Sequence, residues 1–136
     1  MTLLFGVATL LWLASADTEL RRARQALTDG ERASTQAGEA CRASDYDKCV
    51  ALSAEIQKSV ETAQEALYAT GIDPARNPRH FKDAEIRVRK ILRLVDDLRP
   101  YIHSEDQTEY DAVRRRVSEI NDQMLSAIMS RRKKKK

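Results

Sequence analysis

Residues 81–102 read FKDAEIRVRKILRLVDDLRPYI, and within them Phe81, Ala84, Val88, Ile91, Val95, Leu98 and Ile102 recur at alternating steps of three and four. That is the spacing of one helix face, because a 3.6-residue turn returns to the same side after three or four positions, whereas a strand alternates every two. The run predicts a helix with a continuous buried stripe. Asn77-Pro78 reads as its start, with Asn able to cap the free amides and Pro at the first helical position forgoing no hydrogen bond. Pro100 ends the regular part and leaves Tyr101 and Ile102 to pack in the turn that follows.

Downstream, Ser104-Glu105-Asp106-Gln107 offers a capping hydroxyl, two carboxylates in a first turn and a reciprocal capping residue at Gln107. The stripe behind it is Tyr110, Val113, Val117, Ile120, Met124 and Ala127, with Ile128 alongside. Upstream, a segment from Ser44 or Asp45 carries Tyr46, Cys49, Ser53, Ile56, Val60, Ala63 and Leu67 on one face and stops before Gly71, a helix C-terminal signal. The segment before that is the weakest. Its face reads Leu20, Ala23, Leu27, Gly30, Ser34, Ala37 and Cys41, and Gly30 and Gly38 each cost up to about 1 kcal/mol of helix propensity. It is expected to order by docking, its small residues letting its backbone approach the next helix closely, with a break near Thr28-Asp29-Gly30.

Four amphipathic helices with short connections define an all-α fold of two antiparallel hairpins, most simply an up-down-up-down bundle, with hairpins at residues 17–70 and 78–130. The linker 71–77 concentrates the chain's breakers. Apolar spacing over about three heptads also fits a coiled-coil homodimer, particularly for the second hairpin. Aromatic residues make up only 5% of the chain, so the core has to be built from aliphatic side chains on regular elements rather than on turn-rich sheet.

Residues 1–16, MTLLFGVATLLWLASA, are uncharged and apolar and close on Ala14-Ser15-Ala16, the small-x-small pattern of a signal peptidase site. They are shorter than the roughly 20 residues a membrane-crossing helix needs, which favours a leader cleaved between Ala16 and Asp17 over an anchor. Export to the periplasm or the extracellular space follows, in a protein of bacterial type. In an oxidising compartment Cys41 and Cys49, the two cysteines of the chain, are expected to pair as a disulfide that staples the first hairpin and contributes about 2–3 kcal/mol. Their spacing is neither the redox Cys-x-x-Cys nor a zinc-ligand pattern.

No chemistry-bearing motif is present. Gly-x-Ser-x-Gly, His-Glu-x-x-His and phosphate-cradling glycine loops are all missing from the sequence, and His80 and His103 flank the third helix about 30 Å apart, too far to share a site. No catalytic residue, metal ligand or cofactor is assigned. Carboxylate pairs such as Asp96-Asp97 and Glu105-Asp106 read as solvated faces and caps.

Charge points to a partner instead. The formal net charge is +3, yet the last six residues Arg131, Arg132, Lys133, Lys134, Lys135 and Lys136 are all cations, so what precedes them is mildly acidic. That basic tail is expected to act as a flexible arm for anionic lipid or surface polysaccharide, each lysine contributing up to about 1 kcal/mol at an anionic membrane. Nucleic acid is the least available polyanion outside the cytosol. Arg79, Lys82, Arg89, Lys90 and Arg93 gather opposite the apolar stripe of the third helix, with Arg76 just before them, and form a candidate anion-binding face whose simpler account is ordinary solvation. The expected role is a non-catalytic binding or scaffolding module of the cell envelope, whose partner is a protein or envelope component. The alternative is an electrostatic binder of anionic surfaces acting through the tail and the third-helix face.

Overall fold

The computed structural model describes the backbone of residues 2–134 and the side chains of residues 15–130. Among these the chain is all-helical: α1 (Thr2–Arg42), α2 (Tyr46–Ala69), α3 (Arg79–Leu98), a short 3-10 turn at Arg99–Tyr101, and α4 (Gln107–Lys134). Met1, Lys135, Lys136 and the side chains of residues 1–14 and 131–136, which belong to the leader and the tail of the sequence reading, lie outside the described residues.

α1 packs most extensively on α2, and α3 on α4; α1 also meets α3 and α2 meets α4. All seven positions of the third stripe are buried, as are Tyr110 through Met124 of the fourth, so both period readings correctly located the core. Ala127 and Ile128 are half-buried. One contiguous apolar cluster draws on all four helices, with Val60, Val88, Ile91, Val95, Val117 and Ile120 fully enclosed. On α2, Leu52 and Ala66 join the expected face.

Differences fall at helix ends, where local geometry decides. α3 starts at Arg79 with Pro78 at the capping position and no side-chain cap, so Asn77 does not cap it. α4 starts at Gln107, beyond a turn at residues 104–106; the Gln107 amide donates to the Ile102 carbonyl at 3.2 Å, not back to Ser104. Ile102 is buried as expected, but Tyr101 is exposed. Asp45 caps α2 by accepting from the Lys48 N–H at 3.4 Å. At the other end of α2, Thr70 donates its hydroxyl to Leu67 and accepts from the Ile72 N–H, and Gly71 takes the positive φ of 74° that this exit requires.

α1 is unbroken through Thr28-Asp29-Gly30. The expected close approach explains why, since a Cβ on Gly30 would come within 3.3 Å of both Ser59 Cβ on α2 and Ile91 Cδ1 on α3. Packing of α1 against two neighbours outweighs the propensity cost of its glycines. A second stripe of small residues, Ala26, Ala33 and Ala40, is also buried beside the expected one.

The α3–α4 junction is tied by Tyr110, which is 1% exposed and donates its hydroxyl to the Val95 carbonyl at 2.7 Å. That carbonyl is open because the Arg99 N–H turns to Asp96 as the helix tightens before Pro100, which has no N–H to give. Burial pushes the Tyr110 hydroxyl above the ordinary tyrosine value near 10, holding it neutral and donating. Tyr110→Phe is expected to lose about 1–3 kcal/mol by orphaning the carbonyl, read by urea unfolding. Because the folded-state value is raised, the stabilisation is complete below about pH 10 and is lost as pH rises toward the folded-state value. A parent protein whose unfolding midpoint drops above pH 10 no more than that of Tyr110→Phe would refute this.

Candidate functional site

The cations at the start of α3 do not simply point outward. Arg79 and His80 line an open groove of about 440 Å³ between α1 and α3, together with Arg24 of α1, Asp83 and Arg87. Its floor is apolar, built from Leu20, Ala23, Leu27, Leu67 and Ala84, with Ile86 on the wall. Arg24, Arg79 and Lys82 are exposed and meet no carboxylate within 4 Å among the described residues. Arg76, in the linker, is exposed and sits 3.9 Å from Asp73.

The rest of the expected third-helix face does not join this group. Lys90 and Arg93 lie about 16 and 21 Å further along the axis from Arg79, on the rise of a helix. Arg89 is engaged: it donates to Glu85 at 3.0 Å, and the Glu85 side chain is only 7% exposed. Asn121 of α4 completes that node, its amide donating to the Glu85 carbonyl oxygen at 3.1 Å and toward its carboxylate at 3.4 Å. A buried acid held by a cation and an amide is a structural node between α3 and α4.

Other arginines clasp helix pairs. Arg87 binds Glu31 and donates to Thr28 at 3.1 Å, tying α3 to α1; Arg116 reaches Glu61 at 3.2 Å, tying α4 to α2. Arg99 and Arg114 share Asp111, Arg99 through two bonds of 2.7 and 3.1 Å, and Arg114 also binds Asp96 at 2.8 Å. Hydrogen bonding from Arg99, then from Arg114, holds the Asp111 carboxyl below its usual range. Arg114, Arg115 and Arg116 thus form no patch, consistent with their spread around the helix.

Cys41 and Cys49 form a disulfide across the α1–α2 turn, with Cα atoms 5.4 Å apart. His103 packs against Tyr46 with ring centroids 4.4 Å apart and the planes tilted by 44°, while His80 sits in the α1–α3 groove. Among the described residues no group of three or more His, Cys, Asp or Glu side chains is placed to hold a metal ion, and no helix is long and apolar enough to cross a membrane. No family model, curated protein or solved structure matches this chain.

The candidate site is therefore the groove with Arg24 and Arg79 on it, and Arg76 and Lys82 nearby. Arg76, Arg79 and Lys82 were legible in the sequence; Arg24 was not, because nothing in a one-helix wheel says which residue of α1 will face the start of α3. The same holds for Glu85 and Asn121, which sit beside apolar positions and read as polar flank.

Proposed function

We propose that this protein is a small exported helical module that acts by binding or scaffolding in the cell envelope, without catalysis, after cleavage of its leader between Ala16 and Asp17. The observation that carries this is the fit between the proposed cleavage site and the fold. Arg22 of α1 pairs with Glu65 at 3.4 Å, four residues before the end of α2, so Asp17 falls level with the end of α2 and residues 2–16 extend about 22 Å beyond it. Cleavage there would remove an apolar overhang and trim α1 to the length of its partner. The Cys41–Cys49 disulfide suits an oxidising compartment.

An up-down-up-down arrangement of the two hairpins accords with the cross-helix bonds. Cys41–Cys49 and Arg22–Glu65 support antiparallel α1 and α2, while Glu61–Arg116 and Gln64–Gln123 support α4 running alongside α2 in the same sense. The helices then stand in the cyclic order α1, α2, α4, α3.

The test is the intact mass of the protein recovered from its host's cell fractions, with and without alkylation before reduction. A mass beginning at Asp17, outside the cytosol and without alkylatable thiols, is expected. A full-length cytosolic mass with two reactive thiols would overturn export. Metal found by elemental analysis, or a chromophore in the absorbance spectrum, would overturn the non-catalytic reading. A second reading, electrostatic binding to anionic surfaces, is favoured by the partnerless cations Arg24, Arg79 and Lys82 together with the basic run of α4.

A further inference from the structure

Of the described cations that meet no carboxylate within 4 Å, Arg24, Arg79 and Lys82 share one end of the bundle, while Arg42, Lys48, Lys58, Lys90, Arg93 and Arg115 are spread over the rest of it. Arg22 meets Glu65, and Gln64 bonds Gln123 at 2.8 Å, so α1 before Arg22 and α4 beyond Gln123 leave past the same end of α2. α4 carries Arg131, Arg132, Lys133 and Lys134 out of that end, about 12–16 Å beyond Gln123. The same end holds Arg24 and Arg79 on the groove, with Asp83 beside them, and Lys82 one helical turn beyond Arg79, while Arg21, Arg22 and Arg76 there are paired with carboxylates. At the far end acidic groups outnumber the cations Arg42 and Lys48, with Asp45 and Asp47 opening α2, Asp97 closing α3, and Glu105, Asp106 and Glu109 at the start of α4. The bundle is polar along its axis.

Apolar groups accompany the basic end. Tyr68, Leu125 and Met129 are 49%, 43% and 41% exposed there, and Ile86 stands on the groove wall. Cations interspersed with exposed aliphatic and tyrosine side chains suit a lipid interface, where headgroups take the charge and the acyl boundary takes the apolar tips. Nothing at this end offers a row of aromatic platforms for stacking the bases of a nucleic acid.

We propose that this end of the bundle docks on a bilayer carrying anionic phospholipid, with the acidic end turned away. This deepens and rests on the electrostatic reading given above, and it moves the contact surface from the outer face of α3 to the end of the fold. A chain beginning at Asp17 would add a free amino group to the same surface.

The experiment is sedimentation of the full chain with vesicles of phosphatidylcholine alone and of phosphatidylcholine containing phosphatidylglycerol. Insertion of residues 1–16 contributes to both, so the ratio reads the charge-dependent part. The ratio is expected to exceed tenfold at low salt and to collapse as salt rises, because each cation near an anionic surface contributes about fivefold. The variant carrying Arg24→Glu, Arg79→Glu and Lys82→Glu is expected to lose most of it, and the variant carrying Lys90→Glu, Arg93→Glu and Arg115→Glu, away from that end, to lose far less; circular dichroism checks that both fold. Equal binding to the two vesicles, or equal loss in the two variants, would overturn the proposal. So would capture by dextran sulfate or DNA at the same salt without vesicle preference, which would assign the surface to a soluble polyanion. Export is read independently by mass and fraction, so an exported protein indifferent to anionic vesicles sinks this proposal alone.

Discussion

Ile91→Ala is expected to lower the free energy of unfolding by about 3–4 kcal/mol, within the range for truncating a fully enclosed aliphatic side chain. Ile91 is 0% exposed and lies where α1, α2 and α3 meet, its Cδ1 against the backbone of Gly30, which also faces Ser59. Glycine allows that three-way approach, so neighbours cannot relax into the vacated space without moving whole helices. Chemical denaturation should show a lower midpoint with an unchanged slope. Gly30→Ala provides a second reading of the same contact. In the parent its methyl would be 3.3 Å from both Ile91 Cδ1 and Ser59 Cβ, whereas in Ile91→Ala the first of these contacts is gone, Ser59 remains, and part of the roughly 1 kcal/mol of helix propensity can be recovered. The two substitutions are therefore expected to couple, with the double variant more stable than the sum of the singles implies. Strict additivity, or a loss below about 1 kcal/mol for Ile91→Ala alone, would show that the junction is loosely packed.

Reducing the Cys41–Cys49 bond is expected to cost about 2.5 kcal/mol, the chain-entropy value for a loop this short, and to lower the melting temperature by roughly 10 °C. The sequence separation of 8 makes this one of the smaller loops a disulfide can close, but its position magnifies its effect. α1 buries mostly alanines, among them Ala23, Ala26, Ala33, Ala37 and Ala40, so it gains little from each side chain and depends on being held against α2. The turn it staples also contains Ser44 at a positive φ of 62°, a conformation a non-glycine residue adopts at some cost. Calorimetry with and without reductant reads the shift, and the Cys41→Ser, Cys49→Ser variant should melt with the reduced protein and show no response to reductant. A parent indifferent to reductant would mean the pair is not closed.

The period reading was right where the fold depends on local repetition and less reliable where it depends on a particular hydrogen bond. Phe81 to Ile102 and Tyr110 to Met124 are buried as their spacing demanded, since a helix turns its side chains by the same angle wherever it sits. The starts of α3 and α4 moved by one to three residues, because Pro78 takes the capping position and Gln107 finds the Ile102 carbonyl. The expected break in α1 is absent because the glycine that suggested it is the residue that lets the helix pack.

The candidate site divides the same way. Arg76, Arg79 and Lys82 were legible as cations opposite an apolar stripe, and Arg89 looked identical to them on that wheel. Only the packed fold distinguishes them, because Glu85 lies beside α4 rather than in water and draws Arg89 into a bond, while Arg24 of another helix closes the groove on Arg79.

By itself the sequence determined helical phase, the apolar faces and the pairing of two nearby cysteines, all consequences of spacing along one chain. Tertiary structure alone decided which helices are neighbours, and hence that Gly30 is a contact point, that Glu85 is buried, and which cations end without a partner. Those outcomes depend on residues far apart in sequence, whose juxtaposition no local period contains.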